Sequence, residues 1–577
     1  MQVAREVVGH ELPGRLLRAE QSAVKGGGGV SGPELTDSWW PAVQSSAVVD
    51  ETAGTVLYAR AQADPDVEAL VGEDHEGREV RLTFAALYSE ARRVALGLLT
   101  VAKPGDYVAV CVANTIEWPL IQYAAALSGI IVVAVNPSLR RQELAYVIGH
   151  SRSVALIHGR TSRGADLSAD IEAARSSCPD LQTVISVGEI GSWQDHDPGF
   201  ELPVVHPDSI AMLQYTSGTT GLPKGVLLTH RALVNNARFT MEAIGAQRGS
   251  ICVTPLPMFH TAGCVTCTLG PLWLAGTMVL VPRPDAGLIL DTVVRERPDV
   301  LFHVPAVLAR VLAEAEDRGV DLPPVRALVG GASSVPPALV GSAESAFGAK
   351  FHIVYGQTEL SSVLTVVGRD ASRHDAVHSV GRPLMNVECK VIDPISGFTQ
   401  PTGTSGEICA RGYQAFAGYL HDPQATALAK DEDGWVHTGD LGVMDAHGTL
   451  SIIGRLKDVI IRGGENISPA EVESVLSVHA AVLEVAVIGL PEERLGECVA
   501  AVVKVRGGVA IDAIKAELRL LADEQLARHK RPTLWFFTDE LPKTASGKIQ
   551  KFQLQERIES GAISSPGRPS GSFVVES

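Results

Sequence analysis

The chain has 577 residues, more than one ordinary hydrophobic core accommodates, so two or more domains are expected. Its residues are 45% apolar and 20% charged, the balance of a soluble globular protein. A formal charge of −17 argues against sequence-independent nucleic-acid binding, which needs a basic surface, but leaves a local basic pocket for a nucleotide open.

Residues 1–35 include the glycine run 26–29 and lack periodicity, which predicts a flexible lead. No apolar run follows the first basic residues, so no secretory leader is expected. The spacing then predicts a strand at 107–112, a helix at 117–127, a strand at 130–135 and a helix at 141–150. The most apolar stretch, 119–135, is interrupted by Gln122, Tyr123, Ser128 and Gly129 and ends in Asn136-Pro137. A membrane-spanning helix needs about 20 apolar residues, so this stretch reads as a buried helix running into a buried strand, and the cytoplasm is the expected location. Strands are predicted at 211–215 and 277–281, and helices at 288–297 and 305–318. Alternation of this kind predicts an α/β fold of parallel-rich sheets covered by helices. The eight cysteines are scattered; Cys264 and Cys267 form a CxxC without a second pair at zinc spacing and read as buried small residues.

The pattern changes near Gly454. The stretch 458–462, a Gly-Gly turn at 463–464 and a helix at 468–478, started by Ser468-Pro469, are followed by strands at 482–489 and 499–505 and an amphipathic helix at 511–526. That is a compact α+β unit of about one hundred residues, a size typical of a domain. The expected organisation is a lead at 1–35, a large domain at 36–454, a hinge at 455–457, a small domain at 458–558 and a loose Ser/Gly/Pro-rich tail at 559–577.

The stretch YTSGTTGLPKG at 215–225 packs Thr216, Ser217, Thr219 and Thr220 around Gly218 and Gly221, with Lys224 close behind. Small residues let backbone N–H groups approach phosphate oxygens, and hydroxyls add donors or reach a magnesium ion. Strand-like residues on both sides argue against a flexible linker. A P-loop needs four residues between its first glycine and a Gly-Lys-Ser/Thr; here Gly225 follows Lys224, and that reading fails on spacing.

Six further motifs follow: PLPMFHTAG at 255–263, GGAS at 330–333, YGQTE at 355–359, HTGDLG at 437–442, GRLKDVIIRGGENISPAEVE at 454–473 and PKTASGKIQK at 542–551. With these in order over about residues 50–555, the chain resembles the adenylate-forming superfamily of acyl-CoA synthetases, aryl-CoA ligases, luciferases and peptide-synthetase adenylation domains. Between 255 and 473 it is most similar to bacterial medium- or long-chain fatty-acyl-CoA synthetases.

The resemblance implies a large N-terminal domain and a small mobile C-terminal one, and it implies roles for single residues. Thr216, Ser217, Gly218, Thr219, Thr220, Gly221 and Lys224 would handle the phosphates of ATP. His260, Gly263 and Gly330 would border the acyl pocket, where small Ala262, Gly263 and Cys264 are expected to leave room. Gly331, Ala332 and Ser333 would lie along adenine, with Tyr355 stacked on it and Gly356 and Gln357 in the same nucleotide loop. Thr358 would contact the α-phosphate, and Glu359 with Thr216 would hold Mg²⁺, for which carboxylate and hydroxyl oxygens are suitable hard ligands. Asp440 would accept from both ribose hydroxyls, as a carboxylate can, with Arg455 on the ribose–phosphate side. Lys457 occupies the hinge position, where some members carry Asp, and Arg462, Gly463 and Gly464 would line the pantetheine tunnel. Lys548 matches the adenylation lysine, bridging the substrate carboxylate and the α-phosphate; the competing reading is a solvated basic tail formed with Lys543 and Lys551.

The activity implied is ATP-dependent adenylation of a carboxylic acid followed by thioester formation, with ATP, Mg²⁺ and coenzyme A. The motifs equally allow transfer to a carrier-protein phosphopantetheine, a nitrogen nucleophile, or activation of nitrite. Luciferase-type oxygenation is less favoured, and a nucleotide-binding module without turnover has no use for Lys548. A small-molecule acid is the expected partner and a homodimer is allowed; nucleic acid and a transmembrane segment are not expected.

Overall fold

The computed structural model describes residues 34–159, 161–162, 165–193, 200–216, 223–333, 335–462, 465–492, 494–507, 510–543 and 549–563. Packing divides the chain into two compact units. The first comprises Met1–Lys390, Cys409–Thr438 and Asp445–Leu450; the second comprises Val391–Ile408, Gly439–Met444 and Ser451–Ser577. The expected lead lies outside the described residues up to residue 33, and the expected tail lies outside them beyond residue 563.

Among the described residues, the first unit contains two large sheets. One orders its strands Gly418–Tyr419, Lys224–Thr229, Ile210–Thr216, Ile131–Ala134, Tyr107–Cys111, Ala155–His158 and Thr183–Ser186. The pairings from Ile210–Thr216 onward are parallel, while Lys224–Thr229 and Gly418–Tyr419 add antiparallel edges. Central strands of such a sheet are covered on both faces and read as unbroken apolar runs; Ile131–Ala134, sequence IVVA, is buried at every position. The helix before it, Glu117–Ser128, stops because Gly129 takes φ 70°, a left-handed cap whose N–H donates to Ala125 O.

The second large sheet runs Arg382–Pro383, Thr365–Val366, Lys350–Tyr355, Ala327–Gly331, Val300–His303, Ile251–Thr254, Thr277–Leu280, Glu68–Glu73 and Glu79–Thr83. Helices Ala286–Glu296, Pro305–Arg318 and Pro337–Phe347 pack on one of its faces through Ile289, Val293, Leu308, Val311, Val340 and Phe347, against Leu301, Leu328 and Phe351 of the strands. Proline at the first position of Pro305–Arg318 costs no hydrogen bond there, and Gly319 at φ 62° ends the helix.

In the second unit, strands Glu465–Ile467, Ile460–Arg462, Gly496–Val505 and Val482–Glu492 pair antiparallel, and Leu534–Phe537 joins Gly496–Val505 in parallel. Alternation along the long strands feeds two cores. Val487, Val499, Ala501 and Val503 meet helices Pro469–Ser477 and Ile511–Gln525 on one face. Ala486, Ile488, Ala500 and Val502 meet Leu554 and Ile558 of helix Lys551–Glu559 on the other. Among the described residues, no helix is long and apolar enough to cross a membrane.

Candidate active site

Residues 217–222 lie outside the described residues, but both ends of the predicted phosphate loop are in place. Strand Ile210–Thr216 pairs antiparallel with Lys224–Thr229 so that Thr216 stands opposite Lys224. Helix Arg141–Ser151 ties down both ends: Tyr146 Oη donates to Pro223 O at 3.0 Å, and Tyr215 Oη lies 2.9 Å from His150 Nδ1. Burial raises the Tyr215 phenol well above its ordinary range and lowers the His150 imidazole.

Glu359 sits in the short turn Thr358–Leu360 that follows strand Lys350–Tyr355. Tyr419 Oη donates to Glu359 Oε1 at 2.8 Å, and Phe416 N–H donates to Glu359 O at 2.9 Å. Tyr419 lies in strand Gly418–Tyr419, paired with Val226 and Leu227, and Lys224 Nζ stands 4.9 Å over the centre of its ring. The sheet edge therefore brings together three predicted residues, Thr216, Lys224 and Glu359, through a fourth that the motifs did not single out. Burial first, and then the charge of Glu359, raise the Tyr419 phenol, so it is a donor at neutral pH.

The turn is held from behind by Asn236, which is fully buried on helix His230–Ala243. Its Nδ2 donates to Leu360 O at 3.3 Å and Val363 O at 2.7 Å, and its Oδ1 accepts from Val363 N–H at 3.1 Å. Ser361 Oγ donates to Gln414 O at 2.7 Å. Between these ties Ser361 and Ser362 hold φ of 60° and 117°. Gly356 is required by close approach, since a Cβ there would lie 2.1 Å from Ser362 O.

Tyr355 ends its strand, and the adjacent parallel strand ends in Gly330 and Gly331, followed by Ala332 at φ 64° and Ser333. Gly331 is needed because a Cβ would meet Val354 O at 2.0 Å. At Gly330 a Cβ would lie 2.3 Å from the His303 ring, so the imidazole fills that space. His303 packs edge-on to Phe351 at 5.0 Å, and burial pushes its pKa down to about 3, which keeps it neutral.

Nor does Gly263 provide open space. It lies in the turn Ala262–Thr266, where a Cβ would come 2.3 Å from Pro257 O, so its bareness lets two backbone segments touch. Cys264 Sγ turns to Gln214 Nε2 at 3.1 Å and to His260 O at 3.2 Å, and both Cys264 and Cys267 are buried free thiols. His260 itself has its ring beside Phe259, with 4.6 Å between centroids, and its Nε2 is sealed from solvent without a partner among the described residues. Burial pushes its pKa down to about 4.

In the second unit Asp440 is buried and pairs with Arg455, whose Nε lies 3.0 Å from Asp440 Oδ1. Lys457 occupies the exposed turn Leu456–Asp458. Arg462 ends strand Ile460–Arg462 and donates from Nη1 to His529 O at 3.0 Å. Gly463, Gly464 and Lys548 lie outside the described residues, as do Ser217, Gly218, Thr219, Thr220 and Gly221. The segments flanking Lys548 are pinned: Lys543 bridges Ile549 in antiparallel fashion, Lys543 Nζ meets Glu484 at 2.7 Å and Lys551 Nζ meets Glu473 at 2.7 Å. Lys543 and Lys551 are thus ion-pair partners and not members of a loose basic tail.

Residues 57–420 match the AMP-binding enzyme family, and residues 471–548 match the AMP-binding enzyme C-terminal domain. The putative acyl-CoA synthetase YngI of Bacillus subtilis (strain 168) is 36% identical over 540 residues, covering 88% of this chain and 97% of that protein. The mitochondrial medium-chain acyl-CoA ligase ACSF2 of Macaca fascicularis is 33% identical over 550 residues, covering 89% and 88%. Among solved structures, the anthranilate CoA ligase AuaEII in complex with anthranoyl-AMP superposes with a TM-score of 0.79 at 27% identity, covering 88% of this chain and 97% of that one.

Proposed function

The chain belongs to the AMP-binding enzyme family, and from that premise we propose that it joins a fatty acid to coenzyme A in two steps driven by ATP. The observation that carries this reading is the sheet edge where Thr216 is paired opposite Lys224 and where Tyr419 links the Lys224 ammonium to the Glu359 carboxylate. A carboxylate is a poor acyl donor because its oxygen leaves badly. Attack of that oxygen on the α-phosphorus of ATP forms an acyl–adenylate bond and expels pyrophosphate, after which AMP is the leaving group. Such a transfer relies on positioning and electrostatics.

Residues 215–225 hold the phosphates in this reading, Tyr355 and 330–333 the adenine, and Asp440 with Arg455 the ribose side. Thr216 and Glu359 fit Mg²⁺, since Glu359 Oε2 accepts no hydrogen bond among the described residues and both groups are hard oxygen donors. When bound, the ion would offset charge on the phosphate oxygens. Lys548 places its ammonium between the acid and the α-phosphate. His260, neutral because buried, borders the acyl group without adding charge. In the second step the segment at Lys457 turns, Lys548 leaves, and 462–464 accompany the thiol of coenzyme A to the carbonyl; a carrier-protein phosphopantetheine would present the same thiol. Fatty acids are favoured by the similarity to YngI and ACSF2. The cytoplasm is the proposed site of action.

Pyrophosphate release across a panel of acids, with and without coenzyme A, tests the proposal. Release should depend on a fatty acid, and Lys548→Ala should abolish it while AMP still raises the melting temperature. Release without any acid, or full adenylation by Lys548→Ala, would overturn it.

A further inference from the structure

Tyr419 lies 60 residues from Glu359 in the chain, yet its hydroxyl is the side-chain donor to that carboxylate. Its backbone is fixed independently. Residues 418–419 pair with Leu227 and Val226, Tyr419 N–H donates to Thr426 Oγ1 at 2.9 Å, and the ring packs edge-on against Phe416 at 4.9 Å. A phenol held this way has little freedom to follow a moving partner, so the carboxylate is the group that is aimed. The hydrogen bond engages Oε1 and leaves Oε2 without one among the described residues. Lys224 Nζ stands over the ring of Tyr419, and Lys224 is paired opposite Thr216.

We propose that Tyr419 is a positioning residue for the metal site: its hydroxyl fixes one oxygen of Glu359 so that the other is presented to the divalent cation that accompanies ATP, while its ring steadies Lys224 beside the phosphates. This rests on the reading of Glu359 as the metal carboxylate. A carboxylate has lone pairs enough to accept the phenol and still bind a cation, so the two contacts are compatible. Groups held by surrounding contacts lose less freedom when the ligand arrives.

The test uses the full chain and reads binding rather than turnover. Affinity for α,β-methylene-ATP is measured by calorimetry across a Mg²⁺ titration, for the native chain, Tyr419→Phe, Glu359→Gln and the double variant. Phenylalanine keeps the ring against Lys224 and Phe416, so folding is preserved. Tyr419→Phe should raise the Mg²⁺ needed for half-maximal affinity about fivefold and leave AMP affinity in EDTA unchanged. The double variant should be no worse than Glu359→Gln alone, because coupled residues are not additive. 4-Aminophenylalanine at position 419, which restores a donor, should recover the native Mg²⁺ dependence. If Glu359→Gln shifts the Mg²⁺ dependence and Tyr419→Phe does not, or if the two effects add, the positioning role is wrong while the metal reading stands. If Glu359→Gln itself leaves the Mg²⁺ dependence native, the metal reading fails and the role of Tyr419 falls with it.

Discussion

The turn after Tyr355 and the stretch after Gly454 are held very differently. Residues 356–363 are tied by two hydrogen bonds donated by Asn236, one that it accepts from Val363 N–H, one from Ser361 to Gln414 O and one from Phe416 N–H. These ties keep two residues other than glycine at positive φ, Ser361 and Ser362. Such backbone costs of order 1–3 kcal/mol per residue and persists only where its surroundings over-determine it. In 455–462, Arg455 is tied to Asp440, but Leu456 and Ile461 are 37% and 55% exposed, and among the described residues no side-chain hydrogen bond caps the start of the turn Leu456–Asp458. A carboxylate that must face a cation needs a fixed address. A segment that must turn needs few buried contacts to break. In the proposed reading, the difference fits chemistry at one stretch and motion at the other.

The strongest way to break that assignment is at Glu359. Glu359→Gln should lower pyrophosphate release at least ~100-fold, the scale seen when a group facing developing charge is removed. The melting temperature should stay near native, because one carboxylate oxygen already lacks a partner among the described residues. A variant that melts early and retains turnover would make Glu359 structural. Next is Asn236→Ala, which should slow adenylation about tenfold and lower the melting temperature by several degrees. It strands the carbonyls of Leu360 and Val363 and the N–H of Val363, each costing about 1–3 kcal/mol when buried and unpaired. Loss of stability with adenylation unchanged would separate the clamp from the chemistry.

Much of this was legible in the sequence, for physical reasons that also explain what was not. The helix Pro305–Arg318 announces itself by a proline at its start and a glycine after its end, and Ile131–Ala134 by an unbroken apolar run. Tyr419 carries no such mark. Its bond to Glu359 follows from an antiparallel edge added to a parallel sheet, a pairing that no local spacing encodes. Asn236 is one of several buried polar residues on its helix, with His230, Asn235, Arg238 and Thr240, and only the packed structure shows what it caps. Small residues misled in a different way. Gly263 reads as room for a substrate, but interiors are close-packed, and its missing side chain admits Pro257 O. Segments 391–408 and 439–444 join the second unit through contacts that composition does not reveal.

Acid should sharpen the contrast between the units. His230, His260, His303 and His352, all in the first unit, are pushed down to about 4, 4, 3 and 4 by burial. Below about pH 6.5 the unfolded chain takes up protons that these folded sites refuse, so their contribution is complete above that pH and declines toward pH 4. Lowering the pH from 7 to 5 should therefore reduce the hydrogen-exchange protection factors, which are taken relative to the intrinsic rate at each pH, more in strands Val300–His303 and Lys350–Tyr355 than in Gly496–Val505. Equal loss of protection in all three would show that the histidines do not govern acid stability.

The smallest expected effect tests the mobile side of the comparison. Lys457→Ala removes a side chain from an exposed turn, so it should leave the melting temperature within about one degree, as surface substitutions do. If this turn is where the chain swings, the two half-reactions should separate. Pyrophosphate release in a single turnover should stay near native, whereas transfer to coenzyme A should change about threefold, because only the second step requires the turn to adopt a new backbone conformation. The direction depends on which conformation Lys457 stabilises, and the informative quantity is the ratio of the two rates. An equal change in both would place Lys457 in the nucleotide site; no change in either would move the hinge elsewhere in 455–462. The contrast with Asn236→Ala is the sharper result: one substitution should alter stability and adenylation together, the other only the step that follows.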